Sequence, residues 1–294
     1  MLPTSRFILM AAAAVTSLGI ATYGSVAGAS TVIVSDGFSG ANGANINGRV
    51  PDGANLPGST WQVEQQHSTG TSPMTIDTSI GNPAPSVNTN FNDAAGISIA
   101  GANGYIEPSV LTISADLNMG TIVGGGLSYN VYGVGLGFWN ALPASGTTAP
   151  SGFTGITMDP SGDLTFINNG TASATAKAAA PSSATIVNGY ISGFNTLAYS
   201  INTGTGAITQ VTFDGTDLTR NFSGITAFTP SVATLAGFYG NNPSSVSENG
   251  YVDNFSVSTP GGVVIPDPAT LSLVAIGGLS MLLIGRKQAG RRRV

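Results

Sequence analysis

The stretch TLAYSINTGTGAITQVTFDG, residues 196–215, decides the fold class of this chain. In each of its two arms every second residue has the same orientation in an extended chain: Leu197, Tyr199 and Ile201 in the first arm, Thr209, Val211 and Phe213 in the second. A period of two is typical of a β-strand with one buried face. A glycine loop joins the arms at residues 202–206, and Asp214-Gly215 turns the chain again. The stretch therefore predicts an antiparallel hairpin.

Short alternating segments of the same kind recur on both sides of this hairpin, separated by Gly, Asn and Pro. They are residues 31–34, 61–64, 96–100, 110–116, 126–139, 164–168, 196–201, 207–213, 233–239 and 251–258. No amphipathic helix is predicted among them. The Ala-rich residues 172–184 are predicted to form a loop or a single helical turn, because they contain Pro181. So many strands within residues 30–258 predict an all-β domain, a two-sheet jelly-roll sandwich.

Three segments carry a family resemblance: VSDGF at residues 34–38, FDG at residues 213–215 and YVDNFSV at residues 251–257. Together they resemble the strands of laminin-G and legume-lectin-like jelly rolls. The resemblance implies that the first and last strands pair. It also implies carbohydrate binding, since many members of that family bind carbohydrate.

The charge of residues 30–264 excludes several classes of partner. Three basic residues, Arg49, Lys177 and Arg220, stand against thirteen acidic residues, which gives a net charge of −10. A surface so poor in Lys and Arg cannot neutralise phosphates, so nucleic acid is excluded as a partner. The chain has no Cys, which excludes disulfides, thiol catalysis and thiolate metal sites.

The N-terminal residues 1–29 are predicted to be a secretory signal peptide. A weakly basic start is followed by the mostly apolar residues 7–21, and Ala27 and Ala29 form an A-x-A cleavage site. An uncleaved N-terminal membrane anchor is the alternative.

The C-terminal residues have three parts in a fixed order. A linker at 259–268 ends in Pro266, Asp267 and Pro268, the apolar residues 269–285 follow, and residues 286–294 form a basic tail. An apolar helix of this length, about 25 Å, nearly spans a bilayer core. The basic tail should then lie in the cytoplasm. The alternative is a buried core helix.

The order of motif, apolar helix and Arg-rich tail resembles the PEP-CTERM sorting domain of Gram-negative bacteria, with Asp267 in place of the usual Glu. The resemblance implies that an exosortase-type membrane protease processes the chain. It also implies a chain that is exported, held transiently in the membrane and delivered to the cell surface or extracellular matrix.

Catalysis has little support in the sequence. His67 is the single histidine, so a zinc site built from two or three histidines is excluded. No G-x-S-x-G elbow accompanies it. No two carboxylates alternate on one predicted strand, as a glycosidase on this scaffold would need. The chain is therefore predicted not to be an enzyme.

Calcium is the one metal that the sequence allows, and no other cofactor is predicted. Asp36 and Asp253 would approach each other if the first and last strands pair, and carboxylates are calcium ligands. Two further acidic pairs flank tight turns: Asp159 with Asp163, and Asp214 with Asp217. The alternative for each is an ordinary turn, where Asp caps the backbone.

One predicted strand has an unusual face. Gly133, Gly135 and Gly137 share one side of it, and Trp139 ends the same side. A bare face beside Trp139 could let a sugar ring stack on the indole. The alternative is that the glycines let a neighbouring segment pack closely.

Three functions remain open at this point. The first is a non-enzymatic surface or matrix protein that binds extracellular polysaccharide, which exposed Trp61 or Trp139 would favour and burial of both would disfavour. The second is a purely structural surface or matrix component. The third is a glycoside hydrolase, with two carboxylates converging in a cleft.

Overall fold

The structure is a computed structural model that describes residues 30–54, 58–65, 74–81, 86–89, 93–99, 110–119, 133–143, 151–187, 189–202, 204–225, 235–241 and 250–259. Apart from one 3₁₀ turn at Thr219–Phe222, the elements described in these ranges are strands. In chain order they are β1 (Thr31–Asp36), β2 (Gly53–Ala54), β3 (Trp61–Gln65), β4 (Thr75–Asp77), β5 (Ser86–Asn88), β6 (Asp93–Ser98), β7 (Val110–Asn118), β8 (Gly133–Trp139), β9 (Thr154–Met158), β10 (Leu164–Asn168), β11 (Thr171–Ala178), β12 (Ile186–Val187), β13 (Tyr190–Ile191), β14 (Asn195–Asn202), β15 (Ile208–Phe213), β16 (Thr216–Asp217), β17 (Leu235–Asn241) and β18 (Tyr251–Thr259).

The first large sheet has the strand order β16-β15-β14-β7-β18-β1-β2, and the short strands β5 and β4 join it beside β18. The second has the order β11-β10-β9-β8-β17-β6-β3. Strands β12 and β13 form a separate two-stranded hairpin. All pairings described for these strands are antiparallel.

The two large sheets pack face to face. One continuous apolar core holds Leu197 and Ile113 from the first sheet with Leu136 and Phe238 from the second. The Tyr199 hydroxyl crosses between the sheets and donates to the carbonyl oxygen of Leu136 at 3.0 Å. Burial of one face of each sheet explains the period of two in the sequence. The fold is therefore an all-β, two-sheet sandwich.

The predicted hairpin is confirmed. Strands β14 and β15 pair antiparallel, with Tyr199 opposite Val211. The side-chain oxygen of Asn202 accepts hydrogen bonds from the backbone N–H groups of Gly204 and Thr205, which closes the loop. The predicted pairing of the first and last strands is confirmed as well, because β1 lies beside β18 with Asp36 opposite Phe255.

The prediction for residues 172–184 is wrong in its first half. Residues 172–178 belong to β11, which pairs with β10. Asn169 and Gly170 have φ of 46° and 80°, the left-handed pair of a tight hairpin turn. This turn brings the Ala-rich segment alongside β10, and pairing with that strand outweighs the weak strand propensity of alanine.

Several predictions fall outside the described residues. They concern the signal peptide with Ala27 and Ala29, the sorting motif with Asp267, the apolar residues 269–285, His67 and the first half of the predicted strand 126–139. Within the described ranges, no helix has the length and apolar character needed to span a bilayer.

Candidate functional site

A polar groove lies on the outer face of the first sheet. It encloses about 470 Å³ and is lined by residues of β7, β14, β15, β16 and the 3₁₀ turn: Val110, Thr112, Ser200, Thr209, Gln210, Asp217 and Thr219. Alternation along the strands places most of these side chains outside. Thr209 is an exception: the register of the β14–β15 pair shifts at this residue, so Thr209 is exposed beside Gln210 and does not share the buried face of Val211 and Phe213, as the sequence predicted. In β7 the intervening residues Leu111 and Ile113 enter the core, so Val110 and Thr112 point the other way.

Hydrogen bonds hold most groups of the polar groove in place. The hydroxyls of Thr112 and Ser200 lie 2.8 Å apart across β7 and β14. One oxygen of Asp217 accepts from the backbone N–H and the hydroxyl of Thr219, at 2.9 and 2.5 Å. These two bonds lower the pKa of the exposed Asp217 carboxyl. The described lining thus offers hydroxyls, an exposed amide and one carboxylate, and it contains no Lys or Arg.

A second carboxylate, Asp116, lies further along the same outer face. Its two oxygens accept hydrogen bonds from the hydroxyl of Thr196 at 2.5 Å and the side-chain amide of Asn254 at 2.9 Å. Asp214 lies nearby and accepts from the backbone N–H of Thr196. Burial, with the charge of Asp116 as a further contribution, raises the pKa of Asp214. Asp116 therefore joins three adjacent strands of the sheet and does not line the polar groove.

The glycine face of β8 is not bare. Gly137 is aligned with Gly237 of β17 and Gly155 of β9, and Gly237 is aligned with Gly96 of β6. These four residues are called the glycine row. The ring of Phe153 covers part of the row, since a Cβ at Gly137 or Gly155 would come within 2.7 Å of it. The ring of Tyr239 covers Gly135 in the same way.

Trp139 is buried among the same aromatic rings on the outer face of the second sheet. Its indole is 0% exposed, and its ring centroid is 4.9 Å from that of Phe153. A sugar cannot stack on a ring that is already covered on both faces, so the stacking interpretation of Trp139 and the bare-face interpretation of Gly133, Gly135 and Gly137 are corrected. The alternative, that the glycines admit a neighbouring segment, describes the observed packing.

Trp61 is also buried, inside the sandwich. Its indole N–H donates to the Asp36 carboxylate at 2.7 Å, and its ring packs on Phe255 at a centroid distance of 5.1 Å. Because Trp61 belongs to the second sheet and Asp36 to the first, this hydrogen bond ties the two sheets together. Neither tryptophan is available to a ligand.

The buried Asp36 forms an ion pair with the partly exposed Arg49 beside Trp61. Arg49 Nη2 lies 3.0 Å from Asp36 and 2.5 Å from Asp52. Burial raises the pKa of Asp36, and hydrogen bonds from Arg49 and Trp61 oppose that shift. Partial burial opposes ionisation of Asp52, but two hydrogen bonds from Ser39 and the charge of Arg49 together outweigh that effect, so the pKa of Asp52 lies below its ordinary value.

The calcium ligands proposed from the sequence have other partners. The Asp36 oxygens accept from Arg49, Trp61 and the backbone N–H of Phe38. Across the β1–β18 pair Asp36 faces Phe255 rather than Asp253, which is itself buried and accepts from the backbone N–H of Asn254. A calcium ion at Asp36 would have to displace a guanidinium group.

The acidic turns behave as ordinary turns. Asp159 accepts from the backbone N–H groups of Ser161 and Asp163, and Asp163 accepts from that of Ala180. Asp217 caps the backbone of Thr219, and Asp214 accepts from the backbone N–H of Thr196 on the neighbouring strand β14. Across the part of the chain that the structure describes, no group of three or more His, Cys, Asp or Glu residues is placed to hold a metal ion.

Comparisons with known proteins give only distant likenesses. No protein-family model and no curated protein matches this chain. Among solved structures, a sialidase of Trypanosoma rangeli in complex with 2,3-difluorosialic acid is 13% identical, with a TM-score of 0.37 over 66% of this chain and 30% of the sialidase. Cellulose induced protein Cip1 is 12% identical, with a TM-score of 0.40 over 76% and 96% of the two chains.

The carbohydrate recognition domain of Emp47p is 14% identical, with a TM-score of 0.39 over 69% of this chain and 89% of that domain. The present chain spans less than a third of the sialidase. At these TM-scores none of the likenesses carries a function to this chain.

Proposed function

We propose that this chain is an exported, non-enzymatic protein whose lectin-like jelly roll binds extracellular polysaccharide in the polar groove. The observation that carries the proposal is the lining of that groove. Thr112, Ser200, Thr209 and Gln210 present hydroxyl and amide groups on an outward sheet surface, without a basic side chain among them. Such groups form hydrogen bonds with sugar hydroxyls in both directions, as donors and as acceptors.

The volume of the groove is compatible with a small sugar ligand. This volume of about 470 Å³ lies within the range of roughly 300–1,000 Å³ found for small-molecule sites. The Thr112–Ser200 hydrogen bond fixes two hydroxyl groups before a ligand arrives. Fixed groups lose less conformational entropy on binding, so this pair is a better sugar contact than two mobile hydroxyls would be.

The lining also favours binding over hydrolysis. Glycoside hydrolases place two carboxyl groups about 5–9.5 Å apart around the scissile bond. Among the described residues that line the polar groove, Asp217 is the single acid. Asp116, on the same face, has both oxygens engaged by Thr196 and Asn254.

The destination of the protein is proposed from its two ends. A signal peptide at residues 1–29 would export the chain, and the helix at residues 269–285 would hold it in the membrane until an exosortase-type protease recognises Pro266, Asp267 and Pro268. The sandwich would then reach the cell surface or matrix, where polysaccharide is the abundant polymer. The intact mass of the mature protein tests this part, since a form that still ends at Val294 is incompatible with processing.

A purely structural role is the second candidate. It is favoured by the burial of both Trp61 and Trp139, because exposed tryptophans are the usual stacking surfaces for sugar rings. The two candidates differ in one respect: a structural component needs no ligand in the polar groove.

Binding of the purified full-length protein to a glycan array and to the host's exopolysaccharide separates the candidates. Replacing Thr112 with Val and Gln210 with Ala removes a hydroxyl and an amide at nearly constant fold, and should weaken binding about tenfold. Thr175→Ala is the matched control, because Thr175 is an exposed threonine on β11 of the other sheet. Equal binding by wild type and the double variant would exclude the polar groove, and no binding to any glycan would favour the structural role.

A further inference from the structure

The charge of the polar groove comes from one side chain. Asp217 ends β16, and it is exposed at the rim. Its Oδ1 accepts both hydrogen bonds from Thr219, which fixes the orientation of the carboxylate. Both hydrogen bonds described for this carboxylate end on Oδ1, and neither ends on Oδ2. The Asp217 carboxylate is therefore a preformed acceptor.

The neighbours of Asp217 do not neutralise it. The other described lining residues of the groove are uncharged. Arg220 follows Thr219 in the 3₁₀ turn but does not belong to the lining, and Arg49 is engaged by Asp36 and Asp52. The hydrogen bonds from Thr219 lower the pKa of Asp217, so its carboxylate stays ionised at neutral and mildly acidic pH.

We propose that Asp217 selects the charge class of the polysaccharide: the polar groove prefers glycans with free amino groups and rejects glycans with carboxylate or sulfate groups. This inference rests on the proposed function. An ammonium group on the glycan can pair with the second oxygen of the Asp217 carboxylate. A carboxylate or sulfate group is repelled by Asp217 and by the net charge of −10 on residues 30–264. A neutral N-acetylated sugar is neither attracted nor repelled by the charge of Asp217.

The size of the effect is modest because the site is exposed. Ion pairs at protein surfaces change affinity by a few-fold and are screened by salt. The prior fixation of Asp217 by Thr219 removes part of the entropy cost of pairing. We expect about a threefold preference for the amino form over the N-acetylated form at low salt, and almost no preference at high salt.

The test compares three oligosaccharides of equal length with the full-length protein: N-acetylglucosamine oligomers, the same oligomers after removal of the acetyl groups, and uronic acid oligomers. The variant is Asp217→Asn, whose side-chain oxygen can still accept from Thr219. The control is Asp77→Asn. Asp77 accepts from the backbone N–H and hydroxyl of Ser79, at 2.8 and 2.6 Å, in the same kind of turn and outside the polar groove.

The ratio of the affinities is the readout. The ratio of amino to N-acetyl affinity should fall to about one in Asp217→Asn and stay unchanged in Asp77→Asn, with uronic acid oligomers the weakest ligands of the wild type. A ratio that Asp217→Asn leaves unchanged, or equal binding of all three by the wild type, would overturn the inference while leaving polysaccharide binding intact. If none of the three classes and no other glycan binds, the proposed function itself fails.

Discussion

The packing of Tyr239 on Gly135 gives a prediction that tests why β8 is rich in glycine. A Cβ built on Gly135 would lie 2.6 Å from Cδ1 and 2.7 Å from Cζ of Tyr239, against about 3.5–4.0 Å for a normal carbon contact. The ring cannot move freely. It packs edge-on against Phe153 at a centroid distance of 4.7 Å, and its hydroxyl forms a buried hydrogen bond with that of Thr157. Gly135→Ala should therefore lower the free energy of unfolding by about 3 kcal/mol, at the upper end of overpacking costs.

Urea unfolding followed by tryptophan fluorescence measures this change, and a thermal scan should show a Tm lower by roughly 6–12 °C. Gly204→Ala is the control: Gly204 lies in the exposed β14–β15 loop, and its nearest neighbour to a new Cβ is Asn202 Oδ1 at an ordinary 3.4 Å. This variant should be neutral or slightly stabilising, because alanine reduces the entropy of the unfolded chain.

The partner substitution tests the cause. Tyr239→Leu alone costs stability, since it removes a buried ring and leaves Thr157 without its partner. The double variant Gly135→Ala/Tyr239→Leu should be about 2 kcal/mol more stable than the sum of the single variants predicts, because the clash is gone. Additive costs, or a neutral Gly135→Ala, would refute the idea that these glycines exist to admit aromatic rings, and would restore an open face beside Trp139.

Two further predictions concern the Asp36 ion pair. Arg49→Met should cost about 3–5 kcal/mol near pH 7, because it leaves the Asp36 carboxylate buried without its ion-pair partner. Burial already raises the pKa of Asp36, so as the pH falls Asp36 is protonated in the folded variant before it is protonated in the unfolded chain. Protonation removes the unpaired buried charge, so the loss of unfolding free energy measured with urea should be smaller near pH 4 than near pH 7. Calcium should not act through Asp36, because Arg49 and Trp61 occupy its oxygens, so any effect of EDTA on the Tm should be the same in Asp36→Asn as in the wild type; a calcium-dependent rise in Tm that Asp36→Asn abolishes would contradict this.

Alternation in the sequence predicted ten of the eighteen described strands. It missed β9 and β11 and the short strands β2, β4, β5, β12, β13 and β16. Residues 164–168 were predicted as a strand and form β10, because Leu164 and Phe166 alternate and both enter the core. The sequence likewise placed Gly135, Gly137 and Trp139 on one side of β8, which the structure confirms. Local pattern predicts which residues share a face in a regular strand, but it does not reveal a bulge such as the one at Thr209.

What the sequence could not supply was the partner of each face. Phe153, just before β9, and Tyr239 on β17 cover the glycines of β8, and no local pattern around Trp139 predicts either contact. The polar groove was missed for the same reason. Thr112 and Ser200 meet across a separation of 88 residues, so the pairing of β7 with β14 had to be known before their hydroxyls could be placed together.

The two sheets differ in what covers their outer faces, and this difference supports placing the proposed ligand site on the first sheet. Aromatic rings fill the outer face of the second sheet over the glycine row, and Trp139, Phe153 and Tyr239 are buried there. The first sheet carries hydroxyl, amide and carboxylate groups on its outer face, many of them fixed by hydrogen bonds to neighbouring strands. A buried aromatic layer can stabilise a sheet but cannot recognise a polymer in solvent. A polar surface on a sheet whose other face is the core can bind a polymer without losing stability, which is why the polysaccharide site is proposed on the first sheet.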